Sequence, residues 1–134
     1  MSNKNYEQLI MQLENYLECL KQFNYFVNLA RTKKFGSEEE SQFLEIKSVL
    51  VQELELILCS IECSSPSKEE VLALISSAPS IRYLSEMADG VVRGLENQWH
   101  KIFIGWVSIL GQMKAQQRQG PSSSGFLSFG KKKE

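Results

Sequence analysis

Large apolar residues recur at intervals of three and four along most of this chain, and nowhere do they alternate with polar residues in the period of two that a strand requires. The longest run lies between Ser80 and about Gln119. There Ile81, Leu84, Ala88, Val91, Leu95, Trp99, Ile102, Trp106, Ile109 and Met113 fall on one stripe when successive residues turn by ~100°. Pro79 precedes the run and no proline interrupts it, so the pattern predicts one amphipathic helix, roughly 55 to 60 Å long at ~1.5 Å per residue. A rod of that length exceeds the width of a compact domain of this size, and the rest of the chain is expected to lie along it.

From about Asn5 to Lys34, the residues Tyr6, Leu9, Leu13, Tyr16, Leu20, Phe23, Val27 and Ala30 alternate strictly at three and four. Ile10, Leu17 and Phe26 widen this seam beyond that of a simple coiled coil, which predicts a helix facing two neighbours in a bundle. Arg31, Lys33 and Lys34 suit its carbonyl end, and Gly36 suits the left-handed position that closes a helix. Ser37 is expected to cap the next helix, with Glu38 and Glu39 in its first turn and Glu40 at the capping-box position. So short a connection forces an antiparallel hairpin.

The second helix is expected to run to about Cys63, with Phe43, Ile46, Leu50, Leu54, Ile57 and Ile61 inside. Lys47 and Glu53 fall near its seam, placed to snorkel or pair. After Ser64, Ser65 and Pro66, a second capping box of Ser67 and Glu70 opens a short helix of about ten residues carrying Val71, Leu72, Leu74 and Ile75. The expected fold is therefore all-α. It is an elongated antiparallel bundle of three long helices and one short helix over residues 1–119, followed at Gly120 by a flexible, disordered tail.

Gly90, Gly94, Gly105 and Gly111 disturb this picture, because each costs roughly 0.8 to 1 kcal/mol against alanine inside a helix. Packing has to offset that cost. Gly90, Gly94 and Gly105 lie on one flank of the apolar stripe, where they would let another backbone approach. The alternative is a bend or break near Asp89 and Gly90.

With 43% hydrophobic and 23% charged residues, the composition supports a single packed core. A net charge of −1 argues against a surface built to track nucleic acid. The tail carries +2 through Lys131, Lys132, Lys133 and Glu134, which leaves −3 on the body. No apolar run reaches the ~18 residues of a membrane span, and Lys4, Glu7 and Glu14 interrupt the region where a signal peptide would be apolar, so a cytoplasmic protein is expected. Three cysteines, Cys19, Cys59 and Cys63, fit a reducing compartment. Cys59 and Cys63 share a helical face, but structural zinc takes about four ligands and His100 is the only histidine. Neither a metal nor a cofactor is expected.

No phosphate-binding glycine loop or nucleophile elbow is present. Arg93 and His100, seven residues apart, project from the face opposite the apolar stripe, together with Glu86, Asp89, Glu96 and Asn97. This pair resembles the motif of the HEPN superfamily, helical-bundle domains in which Arg and His are separated by four to six residues and some of which cleave RNA. The resemblance implies that two such helices meet across a dimer, with His100 in acid-base work and Arg93 stabilising a phosphate. Gly94 departs from the polar residue often found there. Read as residues alone, Asp89 with Arg93 and Glu96 with His100 are i,i+4 neighbours on a solvated face. A non-catalytic protein is the expectation, and an RNA-binding or ribonuclease bundle is the alternative.

The apolar residues of the long helix span roughly 48 Å, against roughly 27 Å in the second helix and about 36 Å in the first. An overhang carrying Trp106, Ile109, Leu110 and Met113 is therefore expected to expose an apolar patch for a second subunit or another protein. Trp99 and Trp106 are expected to anchor the core, each indole N–H reaching an edge. In the tail, Phe126, Leu127 and Phe129 follow a flexible spacer and form a candidate docking peptide, while Lys131, Lys132 and Lys133 offer contact with an anionic membrane as the alternative. The expected function is a protein–protein interaction module: an adaptor, chaperone or assembly subunit. In size, acidity and helix content the chain is similar to flagellar and type III export chaperones, which implies a long apolar groove filled by a client.

Overall fold

Among residues 3–61 and 65–119, which the computed structural model describes, five helices form: α1 (Asn3–Thr32), α2 (Ser37–Ser60), α3 (Lys68–Ser76), α4 (Ile81–Ser85) and α5 (Asp89–Gln119). The fold is all-α, a helical bundle as the hydrophobic spacing predicts. Its chain path follows from a few side-chain contacts. The Tyr16 hydroxyl donates to the Leu50 carbonyl at 2.8 Å, and Gln12 donates to Glu53 at 3.4 Å, so α2 descends alongside α1. Lys68 pairs with Glu55 near the end of α2, and Glu40 near its start accepts the backbone N–H groups of Ile81 at 3.0 Å and Arg82 at 2.8 Å. Together α3 and α4 therefore climb back along α2. Arg31 meets Asp89 and Glu96, and Lys114 meets Glu14 at 2.7 Å, so α5 descends along the whole of α1. The result is an up-down-up-down bundle whose third arm is split between α3 and α4.

The single helix expected from Ser80 to Gln119 does not form. The chain reverses at Glu86–Ala88, the break foreseen as the alternative at Asp89 and Gly90 but sharper than a bend. Ser80 Oγ accepts the Tyr83 N–H at 3.0 Å and starts α4, and the Glu40 carboxylate holds two more of its free amides. One turn later the Glu86 N–H reaches Tyr83 and the Met87 N–H reaches Leu84, i→i−3 bonds that tighten the last turn and end the helix. The Val91 and Val92 N–H groups both take the Ala88 carbonyl and start α5. The apolar spacing runs through this turn because Leu84 and Val92 enter the same core from two helices. Val92 is buried at 3% exposure, and Val91, placed on the stripe by spacing alone, is 56% exposed.

The first connection is also built from other residues than expected. Lys33, with φ of 58°, takes the left-handed position. Its N–H reaches Ala30 and the Lys34 N–H reaches Leu29, the paired bonds of a Schellman motif. Gly36 is instead the N-cap of α2, in an extended conformation, and the Glu39 carboxylate accepts its N–H at 2.7 Å. That frees Glu40 to cap α4. The second capping box forms as expected, with Ser67 Oγ accepting the Glu70 N–H at 3.1 Å and Glu70 accepting the Ser67 N–H at 2.8 Å.

With the reversal in place, α5 has 31 residues and α1 has 30, so neither outruns the other. The core runs the length of the bundle and includes Leu13, Tyr16, Leu20 and Phe23 of α1, Phe43, Leu50, Leu54 and Ile57 of α2, and Ile102, Trp106 and Met113 of α5. Tyr16 meets Trp106 edge to face, with ring centroids 6.2 Å apart. Lys47 snorkels out of this core to donate to the carbonyls of Ala78 at 2.7 Å and Pro79 at 3.1 Å, and desolvation lowers its ammonium pKa. Among the described residues no helix is long and apolar enough to cross a membrane.

Candidate interaction surface

Trp106, Ile109, Leu110 and Met113 form no exposed patch. Their exposures are 0%, 6%, 9% and 0%, because the reversal shortens the long helix to the length of α1, which covers α5 throughout and closes the expected overhang. The two tryptophans also differ. Trp99 is half-buried, stacks on Phe103 at 4.8 Å and donates its indole N–H to the Leu20 carbonyl at 2.7 Å. Trp106 is fully buried and its indole N–H has no hydrogen-bond partner, contrary to the expected reach to an edge. Phe126, Leu127, Phe129 and Lys131, Lys132 and Lys133 lie outside the described residues.

Arg93 and His100 are both exposed on α5. Arg93 is held by Asp89 at 2.7 Å, as the i,i+4 spacing predicts. The expected Glu96–His100 pair is replaced by a link across the bundle, in which Glu96 binds Arg31 at 2.7 Å. That hydrogen bond, with the charges of Glu96 and Asp89, raises the Arg31 pKa. His100 lies beside Trp99, ring centroids 6.3 Å apart. Asp89 thus shares one carboxylate between Arg31 and Arg93, and a phosphate approaching Arg93 would meet that carboxylate first.

A cleft opens where α4 and α5 diverge from the reversal. It has a volume of about 330 Å³ and is lined by Ser77, Tyr83, Leu84, Met87, Val91, Leu95 and Gln98. Leu84 and Leu95 make an apolar floor, while Tyr83, at 44% exposure, and Val91 stand on its rim. Behind Leu84 and Met87 lies a more polar recess of about 370 Å³ that includes Arg31, Lys33 and Asp89, where the Lys33 ammonium donates to the Ser85 carbonyl. None of these rim residues was expected from sequence as a site. The available signal was the Val91-Val92 doublet, in which only one valine can face the core.

The outward face of α5 has its own pattern. Gly90, Gly94, Asn97, Lys101, Ile104, Ser108, Gly111 and Ala115 repeat at four and three, and all are exposed except the half-exposed Ala115. One of the eight is charged. A Cβ added at Gly90, Gly94 or Gly111 would meet nothing within 4 Å, whereas at Gly105 it would lie 2.9 Å from Pro66. Only Gly105 is therefore explained by packing inside the chain. Ile104 at 50% and Val107 at 39% add apolar area to this face.

Among the described residues no three of His, Cys, Asp and Glu converge as metal ligands. Cys19 and Cys59 carry free thiols, and burial pushes the Cys19 thiol pKa up. Comparison with protein-family models, with curated proteins and with solved structures finds no match to this chain.

Proposed function

We propose that this chain is a non-catalytic protein–protein interaction module, an adaptor or assembly subunit of the cytoplasm. What carries this reading is the α4–α5 cleft, with its apolar floor and its exposed Tyr83 and Val91 on the rim. A recess of this size suits one or two anchoring side chains of a partner. Tyrosine and methionine are favoured at such sites, the first for its amphipathic ring and the second for its adaptable shape. The cleft pairs one turn of α4 with about two turns of α5, which suits an anchor residue better than the long client segment of an export chaperone. The engagement of Arg93 by Asp89 weighs against phosphate chemistry on the same helix. Free thiols at Cys19 and Cys59 support a reducing compartment.

Val91→Glu tests this reading, because an exposed carboxylate on the rim costs the fold little and repels an apolar anchor. With the tagged full chain as bait and untagged copies present, the wild type is expected to capture a protein, its own copy or another, that the variant loses, while circular dichroism stays unchanged. Equal capture by both, or by neither, contradicts the assignment of the cleft.

A further inference from the structure

The chain's own C-terminal segment carries apolar residues of the kind this cleft suits, but it starts at the wrong end of the bundle. α5 ends at Gln119, beside the N-terminal half of α1, while Leu95 on the cleft floor lies 24 residues back, ~36 Å along the helix. Phe126 is seven residues beyond Gln119 and reaches at most ~25 Å when fully extended. The segment therefore cannot set Phe126 or Leu127 into the cleft of its own chain, and Phe129, ten residues on, would reach the level of Leu95 only at full extension, ~36 Å. An antiparallel neighbour along α5 removes the difficulty, because it brings one copy's Gln119 level with the other's residue 86, and the spacer from Gly120 to Gly125 spans up to ~20 Å. The cleft lining carries no charged side chain to oppose the segment's +2.

The outward face of α5 independently suits such a neighbour. Turned antiparallel on itself, its repeat sets Gly90 opposite Ala115, Gly94 opposite Gly111, and Lys101 opposite Ile104, so small meets small at both ends and a lysine stem covers an isoleucine at the centre. A parallel pairing would set Lys101 against itself. The open space at Gly90, Gly94 and Gly111 is where a second backbone would come close.

We infer that the partner of this face and cleft is a second copy of the chain, paired antiparallel through α5, with Phe126 to Phe129 of each copy seated in the other's α4–α5 cleft; this rests on the interaction reading above. The helix face alone is roughly 40 Å by 10 Å, about 400 Å² per copy, and a stable interface takes ~800 Å². The helix pair is thus insufficient by itself, and the exchanged segments supply the remainder.

Analytical ultracentrifugation of the full chain from about 1 to 200 µM tests the inference, the range covering micromolar dissociation constants. The wild type is expected to dimerise in that range. Ile104→Lys, on an exposed position, sets like charges against the other copy's Lys101 and is expected to stay monomeric with unchanged circular dichroism. Replacing both Phe126 and Phe129 with serine is expected to weaken the dimer by roughly tenfold or more. In a chain whose three cysteines are serine, Asn97→Cys and Ser108→Cys copies mixed together should cross-link more readily than Asn97→Cys with itself. A wild type that remains monomeric, an Ile104→Lys chain that dimerises equally well, or preferential self-linking of Asn97→Cys overturns it. A monomeric wild type that still captures another protein through Val91 would sink this inference and leave the interaction reading standing.

Discussion

Three glycines of α5, Gly94, Gly105 and Gly111, should respond to alanine in opposite directions. At Gly94 and Gly111 a methyl group enters open space, so helix propensity acts alone, and each alanine is expected to stabilise the isolated chain by about 0.8 to 1 kcal/mol. For a chain of this length that raises the melting temperature by about 3 to 5 °C per substitution. At Gly105 the new Cβ would sit 2.9 Å from Pro66 Cγ and 3.0 Å from its Cδ, so the same gain is opposed by overpacking of about 1 to 3 kcal/mol. The expected net effect of Gly105→Ala is a loss of up to about 2 kcal/mol. Urea denaturation at low micromolar concentration, where self-association is weakest, reads all three. A stabilised Gly105→Ala chain would refute the close approach of Pro66 to α5. Destabilised Gly94→Ala and Gly111→Ala chains under the same conditions would show that the outward face is occupied within the monomer.

Other expectations follow from single contacts. Tyr16→Phe removes the hydrogen bond to Leu50 and should cost about 1 kcal/mol in urea denaturation; no loss would mean that this contact is absent. Burial raises the Tyr16 pKa above its ordinary value, so its contribution is complete below the unfolded value near pH ~10 and is lost as pH climbs beyond it. Spectrophotometric titration should find this phenol protonated until the chain unfolds, and its ionisation while the chain is still folded would contradict its burial. Lys33→Gly and Lys33→Ala both lose the bond to the Ser85 carbonyl, so glycine, which takes the left-handed conformation freely, should be the more stable by about 1 kcal/mol, and equal stabilities would place the backbone elsewhere. Glu40→Ala leaves the Ile81 and Arg82 amides without their carboxylate and should cost about 1 to 2 kcal/mol, and no loss would contradict this cap.

The bundle was legible in the sequence because three arms carry the three-and-four repeat, and the Ser67–Glu70 box marks α3 directly. The reversal was not, because periodicity counts residues and is blind to a turn that returns the next apolar residue to the same core. Leu84, Ala88 and Val92 stand four apart while belonging to an arm, a turn and the next arm. Once the long helix is split, the lengths of α1 and α5 match, and the overhang that seemed to present Trp106 and Met113 disappears. The roles of Glu39 and Glu40 were exchanged for a related reason. Local capping rules identify a carboxylate near a helix start, and only tertiary contact reveals that Glu40 caps a different helix. The cleft at Tyr83 and Val91 exists only because of the reversal, so no motif could announce it.

Everything proposed for α5 depends on the chain turning back at Glu86–Ala88. Nuclear Overhauser contacts in the labelled full-length protein address that turn most directly. The account predicts cross-peaks between Leu84 and Leu95, which line one cleft, and between the Pro66 ring and Gly105. An unbroken helix would hold Leu84 and Leu95 ~16 Å apart. Absence of their cross-peak, with continuous helical contacts through Met87, would contradict the reversal and remove the cleft with it.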